Sequence, residues 1–112
     1  MTKKVKLIAL LKSKPGMSRE DFKKRWVDEH AQMPARWKNI KGYTINIAFD
    51  DYQESKGDLP YNGSAELYWD SLEDMKADFA TEEAKLAGID ADEFTILRDH
   101  IYTEEFIIKP RS

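Results

Sequence analysis

The chain has 112 residues and a formal net charge of −3, and charged residues of both signs make up 35% of it. A chain of this length suits one domain with its own hydrophobic core, so we predict a single domain over residues 1–112. The acidic balance argues against a nucleic-acid surface, and the absence of cysteine excludes disulfides, thiolate nucleophiles and Cys-based zinc sites.

The first predicted element is a strand near the N terminus. Val5, Leu7, Ala9 and Leu11 alternate with lysines and other apolar residues, a pattern typical of a strand that is buried on one face and partly covered on the other. The apolar run is interrupted by Lys6 and lacks the cleavage site of a signal peptide. We therefore expect a cytoplasmic protein without a membrane segment.

A helix follows the turn at Pro15 and Gly16. Ser18 is placed to cap its N terminus with Asp21 as the capping-box partner. Large residues then recur at helical spacing on one face, and this stripe comprises Phe22, Trp26, His30, Met33 and Trp37.

His30 is a polar, titratable ring inside that apolar stripe. Pro34 cannot donate to the carbonyl of His30, which places the histidine in the last helical turn. There the helix dipole favours the protonated ring and burial favours the neutral one. Two readings stay open: a core histidine bonded to a backbone carbonyl, or a proton-transfer group in a pocket.

Two more strands flank a polar connection. The segment Tyr43–Phe49 alternates cleanly and predicts the second strand, and Ser64–Trp69 predicts the third. The connection Asp50–Asn62 between them is polar and rich in turn residues, so it is either a lid over a pocket or an ordinary loop tip.

Two helical segments and a last strand complete the pattern. Ser71 caps a helix whose inner face carries Leu72, Met75 and Phe79. Gly88 is expected to close a further helical turn, and Asp90 with Glu93 forms a capping box that predicts a short helix. The last strand is predicted at His100–Ile108, and both of its faces mix glutamate with apolar residues, so its phase stays open.

This order, β-α-β-β-α-β, predicts an α+β fold of the ferredoxin-like type. Its sheet would have four antiparallel strands with both helices on one face. The opposite face would carry Ile8, Leu10, Ala48 and Tyr68, which is too apolar to leave in water. A two-fold homodimer that packs sheet on sheet would cover it. On this phase Glu66 and Tyr68 face the partner, with Glu66 paired to a lysine or a backbone group.

Three segments resemble the EthD family of dimeric α+β barrel proteins. They read KLIALLKSKPGMSREDFKKRWVDEHA, YNGSAELYWDSLEDMKADFAT and EEFIIKP. The resemblance covers the chain from about Lys6 to Ile108, and its most specific parts are the helix with Phe22, Trp26 and His30 and the junction from Ala65 to Ser71. It implies a scaffold shared by lactone isomerases and decarboxylases of aromatic polyketide acids and, more widely, by monooxygenases and cyclases that work without a cofactor.

The resemblance also implies a pocket between helices and sheet in each subunit. His30 is expected to be catalytic, with Tyr43, His100 and Asp99 orienting or hydrogen-bonding. The substrate-binding wall would comprise Trp26, Met33, Trp37, Leu67, Trp69 and Phe79, joined by Met75. Such a wall suits a planar aromatic molecule, although each of these residues could instead simply pack the core.

The chain departs from the isomerase branch of the family. That branch pairs its histidine with a cysteine, and Leu67 stands at the aligned position here. Lactone isomerisation is therefore not expected.

Three functions remain. The first is decarboxylation or isomerisation of an aromatic or polyketide-type substrate by His30, without a cofactor. The second is a non-catalytic protein that binds a hydrophobic metabolite for a neighbouring enzyme. The third is haem degradation, with His30 as the axial ligand and Arg36 or Lys38 pairing to the propionates. The two histidines lack the spacing of metal ligands, so no metal site is expected.

Overall fold

The structure is a computed structural model that describes residues 3–49 and 59–112. A four-stranded antiparallel sheet has the spatial order β2-β3-β1-β4, in which the strands are β1 (Val5–Ser13), β2 (Gly42–Ile47), β3 (Gly63–Trp69) and β4 (Thr95–Thr103). The helices are α1 (Arg19–Lys23), α2 (Leu72–Phe79) and α3 (Glu82–Asp92). They pack on one face of the sheet, which confirms the predicted α+β, ferredoxin-like fold.

The first helical region changes its type twice. Ser18 caps α1 as predicted, because its Oγ accepts a hydrogen bond of 3.1 Å from the Asp21 N–H. A π-helical turn, Lys24–Glu29, follows, and two 3-10 turns complete the region, His30–Gln32 and Pro34–Arg36. The prediction of one regular helix is wrong beyond Lys23: the His30 N–H also donates to the carbonyl of Arg25, five residues back. Such π turns are frequent at functional sites.

The prediction of a separate short helix between Asp90 and the last strand is also wrong. The helix α3 begins after Thr81, whose side chain accepts from the Ala84 N–H, and the acidic Glu82 and Glu83 in its first turn favour the helix dipole. Gly88 and Asp90 therefore lie inside α3, and Asp90 does not begin a new helix. Because α3 is continuous to Asp92, the chain enters the sheet at Thr95, five residues before the predicted start of the last strand.

The register of β1 fixes the phase of β4. Ala9 pairs with Ala65 of β3 on one side and with His100 of β4 on the other. Leu7 likewise pairs with Tyr102. Since paired residues in a sheet point to the same face, His100 and Tyr102 face the helices together with the buried residues of β1.

The opposite face of the sheet carries a charged cluster among apolar residues. Lys6 forms ion pairs with Glu66 and Glu105, and the Tyr68 hydroxyl donates to Glu105 at 2.8 Å. This arrangement confirms that Glu66 pairs with a lysine. Ile101, which is 51% exposed, lies beside Ile8 on the same face.

The connection Asp50–Asn62, predicted to be either a lid or an ordinary loop tip, lies mostly outside the described residues, since residues 50–58 are not among them. Its last residue, Asn62, is held by β1: its Oδ1 accepts hydrogen bonds from the Ser13 N–H at 2.9 Å and from the Ser13 hydroxyl at 3.1 Å. Across residues 3–49 and 59–112, no helix has the length and apolar character needed to cross a membrane.

Candidate active site

A cavity of about 400 Å³ lies between the sheet and the helices. Small and aliphatic side chains of β1 and β3 form its floor, among them Ala9, Ala65 and Leu67. The structure brings seven of the eleven predicted site residues to this cavity: His30, Tyr43, His100, Trp26, Trp37, Leu67 and Phe79.

Met33, Trp69 and Met75 do not line the cavity, contrary to the predicted wall. Met75 is buried in the hydrophobic core instead. Met33 was placed by α-helical spacing, and that spacing does not hold beyond Lys23. Trp69 is 1% exposed and packs behind the wall, with its ring centre 5.6 Å from that of Phe79 and 6.4 Å from that of Trp37. Its indole N–H donates to buried Asp78 at 2.8 Å, so Trp69 supports the wall from outside.

Gly63 lets the Trp26 ring lie against the sheet. A Cβ at position 63 would be 2.8 Å from a Trp26 ring carbon and 2.5 Å from the Asn46 carbonyl oxygen. Both distances are far below van der Waals contact, so only glycine fits here.

His30 is paired with a carboxylate at the end of α3. The Nδ1 of His30 lies 2.8 Å from Oδ2 of Asp90. The imidazole is only 9% exposed. It packs against the Phe94 ring in a T-shaped arrangement, with 5.4 Å between the ring centres. With Nδ1–H donating to Asp90, the unprotonated Nε2 is the nitrogen left for the cavity that His30 lines.

Asp90 is itself held in place by Arg25 of the π-helical turn. The guanidinium makes a two-pronged contact with the carboxylate, with N–O distances of 2.7 Å and 3.1 Å. It also lies over the Phe94 ring, 4.9 Å from its centre. A planar fork of this kind fixes both distance and orientation, so Arg25, Asp90 and His30 form one chain of contacts.

Burial keeps His30 neutral. It lowers the pKa of the ring, and the hydrogen bond to Asp90 opposes this shift without overcoming it. The hydrogen bond from Arg25 lowers the pKa of Asp90, so the carboxylate stays ionised. At neutral pH the site therefore holds a neutral imidazole beside an anion, which is the arrangement of a general base whose imidazolium form is stabilised once it has taken a proton.

Tyr43 contributes a hydroxyl to the same cavity. Burial raises the pKa of this phenol to about 12, against an opposing contribution from the Trp26 indole. The phenol therefore stays protonated at neutral pH and can donate a hydrogen bond to an oxygen of a bound molecule.

Basic and aromatic residues surround the mouth of the cavity. Lys85 comes from α3, and Arg98, His100 and Tyr102 come from the edge strand β4. Burial lowers the pKa of His100, and nearby Arg98 lowers it further. His100 thus lies at the entrance, while His30 lies inside.

The EthD domain family matches residues 14–97 of the sequence, three quarters of its length. The chain belongs to the EthD family. No curated protein sequence matches this EthD chain.

Solved structures with the same fold are diverse. An ethyl tert-butyl ether D (EthD) family protein from Bacillus halodurans C-125 has 24% identity and a TM-score of 0.74, with 92% of this chain and 99% of that one covered. A dimeric ferredoxin-like protein of unknown function from Thermobifida fusca YX has 12% identity and a TM-score of 0.72, with 94% and 93% covered. The hydroxynitrile lyase of Passiflora edulis has 12% identity and a TM-score of 0.72, with 98% and 100% covered. At these identities the likeness establishes the fold of this EthD family member.

Sequence reasoning missed Asp90 and Arg25 as partners of His30. Asp90 matched a capping box with Glu93, which assigned its carboxylate to a backbone N–H. The signal that could have found it is Thr81 followed by two glutamates, which marks an earlier start for the helix and frees Asp90. Arg25 was overlooked because it lies beside the apolar stripe.

Residues proposed for other chemistries lie elsewhere in this EthD fold. Arg36 and Lys38, the candidate partners of haem propionates, are exposed and do not line the cavity. Asp99 accepts a hydrogen bond from Tyr61 and also lies outside the lining. Within the described ranges, no three His, Asp or Glu side chains are grouped closely enough to hold a metal ion.

Proposed function

We propose that this EthD family member is a cofactor-independent lyase or isomerase that acts on a small aromatic or polyketide-type molecule. The observation that carries the proposal is the His30–Asp90 pair at 2.8 Å on the wall of an apolar cavity. A buried imidazole with an ionised partner is a costly arrangement in a core that only needs to pack, and it is the usual form of a positioned general base.

The proposed step needs only a proton acceptor and a hydrogen-bond donor. Nε2 of His30 takes a proton from a carbon next to a carbonyl group, and the electron pair of the broken C–H bond moves onto the carbonyl oxygen. The Tyr43 hydroxyl donates to that oxygen, and Asp90 stabilises the imidazolium. Return of the proton to another carbon gives isomerisation. In a lyase reaction the carbonyl re-forms instead, a C=C bond forms to the next carbon, and the group on that carbon leaves with its bonding electron pair and takes the proton from His30.

Two further observations support this class of reaction. A hydroxynitrile lyase shares the fold over its whole length. The cavity walls offer the indole rings of Trp26 and Trp37 and the ring of Phe79, which suit a flat aromatic body.

The same aromatic wall favours a second candidate function, a non-catalytic protein that binds a hydrophobic metabolite. Such a protein needs the cavity but not a base. The two functions therefore differ in one property, the transfer of a proton to or from bound carbon.

Deuterium exchange of 2-tetralone in D₂O separates the two functions. This bicyclic ketone has acidic C–H groups beside its carbonyl, and exchange is read by mass spectrometry without any cofactor. We expect the protein to exceed the same concentration of free imidazole by about 10²-fold or more, because general-base catalysis at a positioned group has this magnitude.

Each outcome assigns the function. Binding of 2-tetralone by calorimetry without exchange above the imidazole control would support the binding protein. Absence of both binding and exchange would contradict the proposed aromatic cavity site.

We also propose that the protein is a homodimer that packs through the sheet face opposite the helices. Exposed Leu97 and Ile101 lie on that face, and a protein of the same fold is dimeric. Sedimentation equilibrium should give twice the chain mass of 13.1 kDa, and a monomer at micromolar concentration would contradict this assembly. The cytoplasmic location stays a prediction.

A further inference from the structure

The cavity lining contains basic side chains but no acidic ones among the described residues. Aspartate and glutamate number 21 in the chain and outnumber lysine and arginine, yet none of the described residues that line the cavity is acidic. The ionisable side chains of the lining are His30, Tyr43, Lys85, Arg98, His100 and Tyr102. In an acidic protein, this lining forms a local cationic entrance to an apolar interior.

The two cations at the entrance differ in their partners. Arg98 is engaged by its own neighbourhood: one guanidinium nitrogen donates to the Gly88 carbonyl at 2.9 Å and another lies 2.8 Å from the Asp92 carboxylate. The Lys85 ammonium makes no hydrogen bond or ion pair with any other residue in 3–49 or 59–112. Among the described residues, Lys85 is therefore the entrance cation that no neighbouring side chain or carbonyl already holds.

Lys85 lies on the same helix as Asp90, the carboxylate that is paired with His30. Lys85 precedes Asp90 by five residues on the same helix, which corresponds to about 7.5 Å along its axis. His30 and Lys85 both line the cavity, so a ligand that fills it can contact both side chains.

We propose that Lys85 is a specificity-determining residue that binds an anionic group, a carboxylate or phenolate, at the outer end of an aromatic ligand. The inference rests on the proposed function, because it takes the aromatic cavity as the binding site. The anion is a recognition group here, and the reacting carbon lies at the inner end beside His30.

A matched pair of ligands tests this inference by binding alone. Calorimetry would compare 2-naphthoate with 2-naphthamide, which have nearly the same shape and differ in charge. We expect the wild-type protein to prefer the carboxylate by about two- to fivefold, the range of a partly exposed ion pair. The preference should shrink at 1 M salt, because the contact is at the surface.

Variants of Lys85 test whether this residue causes the preference for 2-naphthoate. Lys85→Gln should abolish it by weakening the binding of 2-naphthoate more than that of 2-naphthamide, and Lys85→Glu should reverse it. Lys76→Gln is the matched control, since Lys76 is exposed on α2 and lies outside the cavity lining; it should keep the wild-type preference.

The outcomes separate this inference from the function on which it rests. Equal binding of both ligands by the wild-type protein, or an unchanged preference in Lys85→Gln, would overturn the role of Lys85 and leave the cavity site standing. Failure of both ligands to bind would overturn the cavity site and this inference together.

Discussion

His30→Gln should lower the rate of 2-tetralone exchange by about 10²- to 10⁴-fold, the usual contribution of a general base. Glutamine keeps a polar side chain of similar length, but its amide does not take up a proton near neutral pH. The measurement is the initial rate of deuterium incorporation, with calorimetry to show that the ketone still binds.

His100→Gln is the matched control for this result. It makes the same chemical change at the entrance of the same cavity, where the side chain is more exposed than that of His30. We expect a much smaller loss of rate than in His30→Gln. A full rate in His30→Gln would contradict the proposed base, and a collapse only in His100→Gln would move the base to the entrance.

The pH profile of the wild-type rate gives an independent signature. Burial lowers the pKa of His30 from its usual 6.5, so the rate should stay level above pH 6.5 and fall only at lower pH, as Nε2 becomes protonated. Asp90→Asn should move this fall to still lower pH, since the carboxylate raises the pKa of the ring. Glu93→Gln changes an exposed carboxylate 3.6 Å from Arg25 and should leave the profile in place.

The lowered pKa of His30 also makes the stability of the fold depend on pH. Because the folded chain holds His30 with a lowered pKa, the unfolded chain binds this proton more readily. The contribution of neutral His30 to stability is therefore present above pH 6.5 and is lost as the pH falls through the lowered pKa of the folded state. Circular dichroism across this range would separate loss of fold from loss of the base.

Asp78→Ala should destabilise the fold by about 3 kcal/mol and lower its melting temperature by roughly 10 °C. Asp78 is 2% exposed. It accepts hydrogen bonds from the indole N–H of Trp69 at 2.8 Å and from the backbone N–H of Asn39 at 3.1 Å and 3.2 Å. Truncation would leave these buried donors without an acceptor.

Glu73→Ala removes a carboxylate of the same charge from the same helix. Glu73 is exposed, so its loss should change the melting temperature by no more than a few degrees. Thermal denaturation of the two variants side by side is the measurement. Equal melting temperatures would show that the Asp78 contacts do not stabilise the fold.

Local sequence patterns predicted the structure correctly where a pattern is compatible with only one type of element. Ser18 and Ser71 each precede a helix with an acidic residue three positions later, and both cap as predicted. Alternation of apolar residues also placed β1 and β3 correctly, because a one-residue shift would have turned the whole core face of each strand to solvent.

The features that the sequence did not predict depend on tertiary contacts. Asp90 satisfied the pattern of a capping residue equally well, and only its contacts with Arg25 and His30, far away in the sequence, assign its carboxylate to the histidine. The π-helical turn leaves no mark in the spacing of Phe22 and Trp26. Trp69 has the right phase to face the helices, but its depth behind Trp37 and Phe79 follows from packing that spacing does not encode.

The pair of His30 and Asp90 joins residues 60 positions apart, one from the first β-α-β half and one from the second. Neither half can therefore contain the pair by itself, and any partly folded form in which α3 detaches from the first helical region lacks it. Formation of this contact has a large loop-closure cost during folding. The ring resonances of His30 consequently report the docking of the two halves, which far-UV signals from the separate helices would not reveal.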